Sequence, residues 1–140
     1  MILEESCYTD IKRWVEAGGS TQVTDPRTGF TLLHIASEFQ CVEAVEYLIG
    51  LGMDPNILDS NGQSPLHIAV DSEIDSAAQT GGPLLYETTK RLLELGANLN
   101  LKDRKGESPL DWVNGYGEKA RRRFNEIMNT AGTTHFSSQS

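Results

Sequence analysis

Val42, Val45, Leu48 and Ile49 fall on one face of a 3.6-residue helix, and Gly52 follows where a helix can stop in the left-handed conformation. The ending recurs. Trp14 and Val15 stand before Gly18, and Leu92 and Leu93 before Gly96, so three helices close alike at separations of 34 and 44 residues. A different pattern marks helix starts. Ser64 precedes Pro65, Leu66 and His67, and Ser108 precedes Pro109, Leu110 and Asp111. A serine oxygen there caps the free amides of a new helix, and the proline occupies the first turn, where its missing N–H costs nothing. Thr31 takes the capping place in an earlier copy, with Leu32 where the proline would be. Before each start runs a polar turn rich in Asp, Asn and Gly, from Asn56 to Gly62 and from Asn100 to Gly106. Gly29, Gly62 and Gly106 are 33 and 44 residues apart, so two independent markers give one period and one copy longer by 11. These elements predict a tandem array of helix pairs.

The residues carrying that period resemble the ankyrin repeat, whose pattern runs Asp-x-x-Gly-x-Thr-Pro-Leu-His-x-Ala. Asp59, Gly62, Ser64, Pro65, Leu66, His67 and Ala69 fill it in one copy. Gly29, Thr31, Leu33, His34 and Ala36 fill it in a second, and Asp103, Gly106, Ser108, Pro109, Leu110 and Asp111 in a third. The resemblance implies an all-α repeat fold, an ankyrin solenoid of helix-turn-helix pairs with β-hairpin-like fingers. It divides the chain into a truncated cap repeat (1–22), a full repeat (23–56), a repeat lengthened near 71–86 (57–100) and a C-terminal cap repeat (101–132). Residues 1–132 form one domain, followed by a polar tail (133–140). Aligning Ile11, Trp14, Val15 and Gly18 with Val45, Leu48, Ile49 and Gly52 places Ile2 opposite Ala36 and Trp14 in the core. The first unit then lacks its finger and half its inner helix, as a cap or as what remains of a longer protein. The extra residues fall between the inner and outer helices of the third pair, somewhere in the loop from Asp71 to Tyr86, either as part of a binding edge or as neutral loop growth. Part of Leu84, Leu85 and Tyr86 opens the outer helix there.

Composition narrows the function. At 140 residues and 38% hydrophobic content the chain suits one domain. No apolar run approaches the ~20 residues of a membrane span, and Met1 to Glu5 lacks the basic start of a secretion signal. The expectation is a soluble cytoplasmic monomer. Cys7 and Cys41, 34 residues apart, belong to adjacent repeats and read as reduced thiols. Residues 1–89 carry net −11 and residues 90–140 net +3, giving −8 overall, which opposes nucleic acid even though Arg121, Arg122 and Arg123 adjoin.

No zinc spacing, phosphate loop or nucleophile elbow is present, so no enzyme, cofactor or metal site is expected. His135 lies in the tail without a ligand cluster near it in sequence. The resemblance gives His34 and His67 a structural role, bonding backbone between repeats. It also points to the surface that binds other proteins. On the fingers this covers Arg27, Thr28 and Phe30, then Leu58, Ser60, Asn61 and Gln63, then Lys102, Arg104, Lys105 and Glu107. Along the inner helices it covers Glu38, Phe39, Asp71, Ser72 and Tyr116. Glu73 and Asp75 join Glu38 and Asp71 as acids beside the concave face, where they would steer a basic protein partner. Phe30, Phe39 and Tyr116 are the candidate aromatic anchors. Two readings remain open: an acidic inhibitor or immunity-type protein masking a basic partner, and an adaptor or assembly subunit, possibly part of a longer ankyrin protein.

Overall fold

The structure, a computed structural model, describes residues 7–130, and the expectations for Ile2, for His135 and for the 133–140 tail lie outside them. Within that range the chain forms seven helices: α1 (Cys7–Glu16), α2 (Leu32–Glu38), α3 (Val42–Gly50), α4 (Pro65–Thr80), α5 (Glu87–Glu94), α6 (Pro109–Gly115) and α7 (Glu118–Thr130). Among the described residues the only β pairing is the isolated bridge between Thr24 and Thr31, so the fingers are hydrogen-bonded turns rather than a sheet.

The helices stack in two layers. The inner α2, α4 and α6 pack in sequence, the outer α1, α3 and α5 do the same, and α3, α5 and α7 each fold back on the inner helix that precedes them. Between the layers runs one continuous apolar seam, from Cys7 and Ile11 through Leu33, Leu48, Leu66 and Leu92 to Val113 and Phe124. Each inner helix opens on a reciprocal capping box. Thr31 and Ser64 accept from the amides of His34 and His67, while their own amides donate to the Nδ1 atoms of those histidines; Ser108 and Asp111 repeat the arrangement.

Fingers and histidines lock successive repeats. His34 Nε2 donates to the Gln63 carbonyl at 2.8 Å, and His67 Nε2 to the Glu107 carbonyl at 2.8 Å, so each imidazole reaches the finger that follows. The fingers also bond one another, Ser60 N–H to the Thr28 carbonyl and Arg104 N–H to the Asn61 carbonyl. That approach explains Gly29: its φ is +73°, and a β-carbon on it would meet Ser60 Oγ at 2.4 Å.

Three expectations require correction. The added residues are mostly helix rather than loop. α4 has 16 residues where α2 has 7, about 13 Å more helix at ~1.5 Å per residue, and it stops only at Gly81, which takes the left-handed cap conformation. The apolar trio does not begin the outer helix. Leu84 and Leu85 belong to a strap over residues 82–86, and Tyr86, with φ +51°, is the residue before α5. Tyr86 is 1% exposed, donates its hydroxyl to the Ala120 carbonyl at 3.0 Å and meets Phe124 edge-on, so the strap holds α7. Trp14 is 39% exposed and not core. Leu48 lies on α3, which α1 and α5 flank, whereas α1 has only α3 beside it in the outer layer among the described residues. The Trp14 ring folds over Gly19 instead and donates to the Ser20 carbonyl.

Candidate functional site

The finger tips are built by short side-chain-to-backbone turns. Asp25, Asp59 and Asp103 each turn one carboxylate oxygen on two amides further along the loop, which fixes the backbone and leaves intervening side chains outward. Arg27, Thr28, Leu58, Ser60, Asn61, Lys102, Arg104, Lys105 and Glu107 are exposed. Phe30 and Gln63 are half-buried. Phe30 stacks on the His34 ring with centroids 5.2 Å apart, so its face is already occupied.

Along the inner helices, at the ends of α2 and α6 and in the middle of α4, the expected residues come together. Ser72 Oγ donates to the Glu38 carbonyl at 2.5 Å, Gln40 Nε2 donates to Ser72 Oγ at 3.2 Å, and the Tyr116 hydroxyl donates to Asp71. These bonds tie α2, α4 and α6 into one row carrying Glu38, Phe39, Asp71, Asp75 and Tyr116. Phe39 is 56% and Tyr116 48% exposed, and the Asp75 carboxylate accepts from the Gln79 amide group. Partial burial, the Asp71 bond and the nearby Asp75 charge push the Tyr116 hydroxyl up to about 12. Among the described residues no lysine or arginine forms an ion pair with the acids of this row; the pairs are Arg91 with Glu46 and Glu94, and Arg122 with Glu118.

Glu73 does not belong to the row. It is 7% exposed and turned toward α5, where Oε2 accepts from Thr88 N–H (3.0 Å) and Oε1 from Thr89 N–H (3.0 Å) and Thr89 Oγ1 (2.6 Å). Tyr86 offers α5 no side-chain cap, so Glu73 supplies one from the inserted part of α4. Burial pushes its carboxyl above the ordinary range, against the pull of those three bonds. Gln40, which sequence reasoning did not select, takes a left-handed φ of +55° and bridges α2 to α4. A non-glycine left-handed residue leaves little trace in sequence.

His34 and His67 are fully buried, their ring nitrogens committed to backbone and to the capping hydroxyls. Trp112 is half-buried, edge-on to His67. Cys7 and Cys41 are free thiols in contact; burial foremost, and Cys41 beside it, push the Cys7 thiol up to about 12. Among the described residues no three His, Cys, Asp or Glu side chains gather to hold a metal, and no helix is long and apolar enough to cross a membrane.

Residues 4–103 match the family model described as ankyrin repeats in three copies. Over 107 residues, 76% of the chain, it is 30% identical to the neurogenic locus Notch protein of Drosophila melanogaster. Over 66 residues, 47% of the chain, it is 37% identical to protein phosphatase 1 regulatory subunit 12A of Mus musculus. Over 126 residues, 90% of the chain, it is 27% identical to the inactive serine/threonine-protein kinase TEX14 of Bos taurus. The matched stretches span 4%, 6% and 8% of those proteins. The capping boxes, the histidine-to-finger bonds and the family match coincide, and the chain belongs to the ankyrin-repeat family, whose stacked repeats are protein-binding rather than catalytic units.

Proposed function

We propose that this chain masks a basic protein with the acidic row across its inner helices, as an inhibitor or immunity-type protein does. The observation that carries the reading is the row itself. Glu38, Asp71 and Asp75 carry negative charge with no cation among the described residues in an ion pair with them, beside two exposed aromatic rings. Charges so placed raise the rate of encounter with a cation-rich surface, and aromatic side chains hold the complex once formed. The net −11 of residues 1–89 extends the attracting field beyond the row.

A second reading, an adaptor or assembly subunit without inhibitory role, draws support from relatives in which the matched stretch is a small part of a longer protein, one of them named a regulatory subunit. Kinetics separate the two. With the partner identified by affinity capture from the native host, the Glu38→Gln, Asp71→Asn, Asp75→Asn triple variant should associate at least about tenfold more slowly at low salt, with a flatter salt dependence. Phe39→Ala should instead speed dissociation. Association rates untouched by the triple change would leave the adaptor reading.

A further inference from the structure

Next to the acidic row, the inserted turns of α4 and the 82–86 strap border an open, polar pocket of about 230 Å³. Gln40 borders it from the α2–α3 turn, Glu73, Ser76 and Thr80 from α4, and Glu87 and Thr88 from the first turn of α5. The volume matches roughly eight waters at ~30 Å³ each, room for one long side chain. Gln40 joins the pocket to the row, because it bonds Ser72 and Ser72 bonds Glu38.

One group on the wall is incompletely served. The buried Glu73 carboxylate receives three bonds, all from neutral donors, and Glu87 adds a second negative charge nearby. Burying a charge without a counter-charge is costly. A cationic donor group supplies that counter-charge. Guanidinium suits a wall of scattered acceptors, since its plane presents five N–H donors and keeps its charge when desolvated.

We infer that this pocket receives an arginine side chain of the basic partner, with Glu73 and Glu87 as its counter-charges. The inference rests on the basic-partner reading and deepens it, giving the inserted segment a part in recognition.

The test uses the whole chain and Nα-acetyl-arginine methylamide as probe, followed by amide NMR shifts. Saturable shifts at Ser76, Thr80 and Thr88, with a dissociation constant of roughly 1 mM, are expected. The citrulline analogue, neutral and of the same shape, should bind at least about tenfold more weakly. Ser76→Leu fills the pocket with a better helix former and should abolish the shifts while the fold, checked by circular dichroism, persists. Absent shifts, equal binding of citrulline, or shifts that survive Ser76→Leu would overturn the inference. The two readings fail separately. A partner slowed by the triple acid variant but released no faster from Ser76→Leu rules out the pocket alone; probe binding with a partner indifferent to the triple variant rules out steering by the row alone.

Discussion

At the residue scale, the two buried histidines show how a titratable side chain becomes a structural one. Thr31 N–H points at His34 Nδ1, so the proton of the neutral ring is on Nε2, facing the Gln63 carbonyl. A second proton would set N–H against N–H. Burial holds the His34 pKa below its ordinary 6.5, although that carbonyl pulls the other way. A base whose folded pKa is lowered binds fewer protons folded than unfolded in the interval below 6.5. Its contribution is therefore complete above that pH and lost as pH falls. The melting temperature should drop as pH falls from neutral through this interval, and His34→Gln should flatten that slope; an unchanged slope would show that the ring is charged in the fold. His67→Ala should cost about 1–3 kcal/mol in urea unfolding by stranding the Ser64 amide and the Glu107 carbonyl, while partner affinity of the folded fraction stays within a factor of about two. The helix starts at Thr31, Ser64 and Ser108 were legible in sequence as caps, whereas the histidines' backbone bonds were legible only through the family resemblance.

Among the elements, α4 is where the spacing spoke and the conformation stayed silent. Counting from His67 to Gly96 located the extra residues, but whether they form loop or helix depended on Ile74, Ala77 and Ala78 at helical spacing with no breaker before Gly81. The left-handed Tyr86 and the capping role of Glu73 were not legible at all, since both depend on partners 15 or more residues away. Trp14 was misplaced because a repeat alignment gives every copy a neighbour on both sides, and among the described residues α1 has an outer-layer neighbour only in α3. Tyr86→Ala should cost about 3–5 kcal/mol in chemical unfolding, through loss of the Phe124 contact and the Ala120 bond. Glu73 has the opposite pH sign to His34. Its folded pKa is raised, so its contribution is fullest below the ordinary 4.5 and declines as pH rises through the folded value. The stability advantage of the wild type over Glu73→Gln should accordingly shrink as pH rises from 4.5; an advantage that grows would mean the carboxylate is better solvated than its burial implies.

On the scale of the whole molecule, charge is segregated along the stack, with net −11 in residues 1–89 and net +3 in residues 90–140. Like charges in the first two thirds repel one another in the compact state. Screening them with about 0.5 M sodium chloride should raise the melting temperature while slowing capture of a basic partner. Salt that lowers both would point to ion pairs such as Arg91 with Glu46 as the larger contribution. The surface itself was half legible. Family positions named the row, but only the fold showed that Phe30 is occupied by His34 and that Glu73 faces inward.

Asp111 gives the array a direction. His34 and His67 are each both acceptor and donor, taking a bond from their own cap and passing one on to the next finger. Asp111 completes its own capping box yet, as a carboxylate held below the ordinary range by the Ser108 amide, has no proton to pass on. A further repeat grafted after α7 would find no handhold at that junction. Extending the stack by design would begin with Asp111→His, and the success of the graft would depend on that one exchange of an acceptor for a relay.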